Sequence, residues 1–154
     1  MPLPQRTRLH HTPPPWISDS SVYFLTICCA QRGTNTLAKT DVFSIITAAT
    51  EHYLQSQKWW PHTLLAMPDH LHAIISFNSQ KPMDKLICDW KRYVAKTAHI
   101  TWQDGFFEHR LRNNESTEEK NSYIRMNPVR AKLCSSPDGW PFCWCPPADQ
   151  LAAR

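Results

Sequence analysis

The chain has no apolar run near the ~20 residues needed to cross a bilayer, so no membrane-spanning helix is expected. It shows no internal repeat. Charged residues are scarce at 19%, against 42% apolar, which excludes a self-repelling disordered chain. The opening MPLPQRTRLHHTPPP lacks the apolar core of a secretory signal, so a cytoplasmic protein is expected. The six cysteines are then expected as free thiols and not as a disulfide framework. Cys134, Cys143 and Cys145 match no standard zinc-ligand spacing.

What is present suits one globular unit. A length of 154 residues suffices for a proper core. The net charge of +4 and pI near 8.8 permit a polyanionic partner without requiring one. Prolines cluster at both ends. They divide the chain into a Pro-rich extension (1–20), a packed domain (21–135) and a tail rich in Pro, Trp and Cys (136–154).

Within the domain, VYFLTICC (22–29) reads as a buried strand. Asp41 is the expected cap of a helix with the stripe Phe43, Ile46, Ala49, Tyr53 and Leu54. HTLLAM and HLHAIISF flank Pro68-Asp69 as a hairpin. Residues 82–100 are helical in pattern, with Met83, Leu86, Ile87, Trp90, Val94 and Thr97 on one side. GFFEHRLR is a fourth strand, and Ser116 with Glu119 is a capping box opening a last helix, which Asn127-Pro128 interrupts. The order β-α-β-β-α-β-α predicts an α+β, ferredoxin-like split-βαβ fold. That is a four-stranded antiparallel sheet with helices on one face plus a C-terminal helix.

His70 and His72 share one face of the second hairpin strand, whereas Leu71, Ala73 and Ile75 share the other. Eight histidines scattered at random give about 0.4 His-x-His triplets in such a chain, so spacing alone leaves two readings open. The pair is either a metal site or two surface histidines. With oxygen donors added, such a site suits Mg²⁺ or Mn²⁺, and Asn127 and a substrate phosphate could complete the shell. Among the four tyrosines, Tyr123 stands apart in NSYIRMNPVR, four residues before Asn127. It is either an ordinary amphipathic tyrosine or a nucleophile activated by its surroundings. Lys91, Arg92 and Lys96 are expected on the exposed side of the second long helix. Arg110 and Arg112 alternate along the last strand, and Arg125, Arg130 and Lys132 surround the Asn-Pro. Trp102, Phe106 and Phe107 could stack unpaired bases, or fill the core.

Taken together, YFLTICCAQRG, MPDHLHAII, WQDGFFEHRLRN and SYIRMNPVRAKL resemble the REP-associated tyrosine transposases. These are single-tyrosine insertion-sequence transposases of the HUH (His-hydrophobic-His) nuclease superfamily. The resemblance spans residues 17–135. It implies that His70, His72 and Asn127 bind a divalent metal, Mg²⁺ or Mn²⁺, and that Tyr123 is the catalytic residue. The implied activity is cleavage and transfer of single-stranded DNA at hairpins of repetitive extragenic palindromes, through a 5′-phosphotyrosine. Lys91, Arg92, Lys96, Arg110, Arg112, Arg125 and Arg130 would then contact DNA. The family's Trp-x-x-Ser-Ser-Tyr tail is absent here: Trp140 remains, but Cys143, Trp144 and Cys145 replace the rest. Competing readings are a hairpin-binding protein that no longer cuts, a replication-initiator or relaxase-type nickase, and a small metallohydrolase using water. Monomer and dimer are both open.

Overall fold

The computed structural model describes residues 21–77, 81–112 and 116–147. The Pro-rich extension, residues 1–20, lies outside the described residues, as does the end of the tail. The elements run β1 (Val22–Cys28), α1 (Thr40–Gln55), β2 (Trp59–Ala66), β3 (His70–Phe77), α2 (Met83–Ala98) and β4 (Phe107–Arg110). Then come α3 (Thr117–Arg125), α4 (Asn127–Arg130), a 3₁₀ turn at Pro137–Gly139 and β5 (Cys143–Trp144). The sheet is antiparallel in the order β4-β1-β3-β2-β5. The first four strands form the ferredoxin-like order that the sequence predicts. The fifth comes from the tail, which pairs Leu64 with Trp144 and Leu65 with Cys143.

The alternation along β3 separates two cores. Leu71, Ala73, Ile75 and Phe77 join Leu25 and Ile27 of β1 under α1 and α2, around the buried Trp59 and Trp90. On the opposite face, Ile74 joins Leu65 and Met67 beneath Ile124 of α3. The sheet is therefore covered on both sides. A bulge in β2 between Pro61 and Thr63 shifts its register against β3. The extra residue reverses the side-chain parity, so that Trp59 and Leu64 face the same core. This bulge also extends β2 three residues upstream of the predicted start at His62.

Helix ends follow local chemistry. Ser116 caps α3, its Oγ accepting from the Glu119 N–H at 3.3 Å, as the capping box predicts. Asp41 is not the cap of α1. The helix starts one residue earlier, Lys39 holds the cap position in extended conformation, and Asp41 sits in the first turn, where its charge suits the helix dipole. On α2, Thr97 and Tyr93 are exposed; the predicted stripe ends at Val94. At the Asn-Pro the chain stays helical: Met126 keeps α backbone angles between α3 and α4, and Pro128 falls in the first turn of α4, where it needs no amide hydrogen. No helix among the described residues is long and apolar enough to cross a membrane.

Candidate functional site

β1 is the partner of β3, with Thr26 opposite His72 and Cys28 opposite His70. The two imidazoles project to the α3 face at a ring separation of 4.8 Å, nearly perpendicular. Each has its Nδ1 engaged. His70 Nδ1 lies 2.8 Å from Asp69 Oδ1, and His72 Nδ1 lies 3.0 Å from Thr26 Oγ1. An imidazole fixed through Nδ1 offers Nε2 outward, the arrangement that orients metal-binding histidines.

Asp69 is itself pinned. Its Oδ2 accepts the Gly33 N–H at 2.8 Å and faces Arg32 Nε at 3.3 Å. Gly33 adopts φ +79°, a conformation that suits glycine, so the loop after β1 can close on the carboxylate. Burial pushes the Asp69 carboxyl up, but the Gly33 amide, His70 and Arg32 together outweigh it and hold the pKa below its ordinary value. His72 stacks on Phe24 with ring centroids 5.5 Å apart. Its pKa is lowered to about 3 by burial first, then by the charges of His70 and Arg130. His72 is thus neutral at neutral pH, which keeps its lone pair available to a cation.

The late helices meet this face. Ile124 is fully buried against β2 and β3, and the Thr63 hydroxyl of β2 donates to Asn121 Oδ1. One residue before Ile124, Tyr123 is 59% exposed. Arg130 ties the motif together. Its Nη2 donates to the Tyr123 carbonyl at 2.7 Å and to Asn127 Oδ1 at 2.6 Å, and its guanidinium carbon lies 4.3 Å from the Tyr123 ring centre. Its charge also acts on His72. Tyr123, Asn127 and Arg130 therefore form one unit beside the histidine pair.

A divalent cation suits the two oriented imidazoles. Asn127 fits as a third donor through the second lone pair of its amide oxygen, the first being taken by Arg130. No group of three or more His, Cys, Asp or Glu side chains that could hold a metal occurs among the described residues.

The expected DNA-binding residues divide. Lys91 is not on an exposed face: it is 9% exposed, and its ammonium donates to the carbonyls of Gln103 and Gly105 at 2.7 Å each. It anchors the loop before β4, and the Trp102 indole in turn donates to the Lys91 carbonyl at 3.1 Å. Trp102 and Phe106 pack on the core under α1 and α2, away from the histidines. Arg92 and Lys96 are exposed on α2, which covers the face opposite the histidines, and Arg92 pairs with Asp89 at 3.3 Å. Arg110 lies opposite Tyr23, whose ring belongs to that same core. Arg112 is exposed just past β4. Only Arg125 and Arg130, of the seven, sit on the helices that meet the histidine face, and Arg125 pairs with Asp138 at 3.2 Å. Phe107 is 44% exposed and meets Phe24 edge-on at 6.4 Å, extending the aromatic surface from His72.

Sequence reasoning missed Asp69, Thr26 and Phe24. Asp69 carried one signal, its position directly before the first histidine, but it also reads as a turn residue. Thr26 and Phe24 are set only by the pairing of β1 with β3.

This is the fold of transposases that place paired histidines on a central strand and a tyrosine on a late helix. The chain shares it with the structure of a REP-associated tyrosine transposase bound to a REP hairpin. That match has a TM-score of 0.71 at 20% identity, over 82% of this chain and 77% of the other. A proposed transposase from Deinococcus radiodurans R1 matches with a TM-score of 0.53 at 12% identity, over 71% of this chain and 92% of that one. In sequence the chain resembles the REP-associated tyrosine transposase of Escherichia coli (strain K12), at 26% identity over 83 residues. That alignment takes in 51% of this chain and 49% of the relative, so the chain matches about half the relative's length. No family model matches the chain.

Proposed function

We propose that this protein is a metal-dependent single-stranded DNA endonuclease and strand transferase acting on hairpins of repetitive extragenic palindromes, with Tyr123 as nucleophile. The observation that carries this reading is the unit Tyr123–Asn127–Arg130 set beside two histidines already oriented through Nδ1. In the cleavage step the Tyr123 Oη bonds to phosphorus as the P–O3′ bond breaks. The phenol proton passes to solvent and the 3′ oxygen leaves as a hydroxyl. The 5′-phosphotyrosine keeps the energy of the broken ester, so a 3′-hydroxyl can reverse the step without another energy source. Arg130 binds only neutral acceptors in its two hydrogen bonds, a carbonyl and an amide, which leaves its charge for a phosphate. His70, His72 and Asn127 would hold Mg²⁺ or Mn²⁺, which when bound supplies Lewis-acid polarisation of the phosphoryl oxygens. Phe24 and Phe107 offer ring surface on which an unpaired base can stack.

A second reading is a hairpin-binding protein that does not cut. The hydrogen bond from Arg130 to Asn127 Oδ1 favours it, because it occupies part of the third donor. One experiment separates the two. The protein is incubated with single-stranded hairpin DNA and Mg²⁺ or Mn²⁺, then run on a denaturing gel. The nuclease reading expects a covalent adduct that Tyr123→Phe lacks, and cleavage lost in His70→Ala and His72→Ala with hairpin affinity kept within about threefold. Binding without any product supports the second reading. Product without an adduct, unchanged in Tyr123→Phe, rules out the tyrosine mechanism.

A further inference from the structure

Outside this site, β5 runs into Cys143-Trp144-Cys145. Residues two apart on an extended chain project to the same side, and these two thiols are hydrogen-bonded to each other. Cys145 Sγ also lies 3.9 Å from the Thr63 hydroxyl, which in turn donates to Asn121 of α3. From the same helix, Arg125 sets its guanidinium against the pair while bonding Asp138. The Arg125 Nε is buried and has no hydrogen-bond partner among the described residues. Cys145 is exposed and Cys143 is half-buried. One accessible thiol and one shielded thiol are thus in contact beside a cation.

We propose that Cys143 and Cys145 form a thiol–disulfide site for low-molecular-weight disulfides, with Cys145 attacking and Cys143 resolving. The Cys145 thiolate attacks one sulfur of the disulfide RSSR. A mixed disulfide forms on Cys145, and the expelled RS⁻ takes up a proton. Cys143 then gives up its proton and attacks the Cys145 sulfur, closing a Cys143–Cys145 disulfide and expelling the second RS⁻. Two electrons pass from the protein thiols to RSSR, which leaves as two RSH. Extended spacing puts the two Cα atoms about 6.6 Å apart, inside the range a disulfide spans. β5 ends at Trp144, so no strand ladder holds Cys145 in place.

The electrostatics agree. The Cys145 pKa is brought to about 6 chiefly by the hydrogen bond from Cys143, against burial, with Thr63 and Arg125 assisting. The Cys143 pKa is raised by that same bond and by burial. At about pH 6 half of Cys145 is thiolate, against about one part in a thousand for a thiol at the ordinary 9.0. The lower nucleophilicity of the more acidic thiol offsets part of that, leaving a rate advantage of about 20-fold. Closing the disulfide removes a negative partner of Arg125 on the helix that carries Tyr123.

The test uses the full chain and glutathione disulfide at about pH 6, with acid quenching, intact mass and peptide mapping. Wild type is expected to lose two hydrogens within the peptide holding Cys143 and Cys145. Cys143→Ser is expected to stop at one glutathione on Cys145, and Cys145→Ser to slow reaction at that peptide about 20-fold. The wild-type rate at this peptide should be half-maximal near pH 6, a readout independent of whether either variant folds. The proposal is overturned if Cys88, exposed on α2, reacts as fast as Cys145. It is also overturned if the first disulfide joins other cysteines, or if the rate at Cys145 keeps climbing through about pH 9.

Discussion

Lowering the pH of chelator-treated protein from about 7 to about 5 is expected to cost stability mainly through one side chain, His72. Burial, then His70 and Arg130, bring its pKa to about 3 in the folded chain, from an ordinary value of 6.5. Between those values the unfolded chain binds the proton and the folded chain does not. The contribution is therefore fully present above 6.5 and is lost as the pH falls. Integrating the linkage from about pH 7 to about pH 5 gives a loss of about 2 kcal/mol, and a lowering of the urea midpoint by about 1 M. Asp69 contributes with the same sign, since its folded pKa is also depressed, but its loss begins at lower pH, around the carboxylate range. The assay is urea denaturation of wild type and His72→Asn in EDTA at both pH values. Asn retains a group able to bond Thr26 but does not titrate, so the difference between the two proteins isolates the imidazole. If His72→Asn loses as much stability over this interval as wild type, the burial and charge argument fails.

Lys91→Met should cost about 2–3 kcal/mol in urea denaturation, because it strands the carbonyls of Gln103 and Gly105 in a buried setting. It should leave hairpin affinity within about twofold, whereas a DNA-contacting lysine would weaken binding and flatten its salt dependence. Arg130→Gln should raise the His72 pKa, read from imidazole NMR shifts, because a positive charge is removed. The rise should be a fraction of the full depression, because burial and His70 are the larger causes. An unchanged His72 titration would separate Arg130 from the histidine pair.

Periodicity made the sheet legible. Leu71, Ala73 and Ile75 against His70, His72 and Ile74 described both faces of β3 before any coordinates, because a strand's alternation is local. The Ser116–Glu119 cap was legible for the same reason. Lys91 shows how residue type can mislead where spacing does not. Ile87, Trp90, Lys91 and Val94 follow the helical i, i+3, i+4, i+7 pattern, and all four are buried. Its charge suggested solvent, but two loop carbonyls supply the ammonium's bonds. Asp69 depends on Gly33, 36 residues earlier, and no local pattern marks that pairing. β5 is two residues long, too short to carry a period. The Arg130 contacts arise because the helix persists through Pro128, which an Asn-Pro read as a breaker conceals.

The tail's short pairing also bears on self-association. Without β5, β2 would be the open edge of the sheet, with backbone donors and acceptors available to a strand from another molecule. Two tail residues cover it only at Leu64 and Leu65, and the Trp140 indole fastens the tail by donating to the Ala66 carbonyl at 2.9 Å. The upstream part of that edge carries Pro61, which has no amide hydrogen to offer, followed by the bulge that breaks the register. The proline that masked the strand in the sequence, together with the clipped tail, keeps one molecule's sheet from continuing into the next.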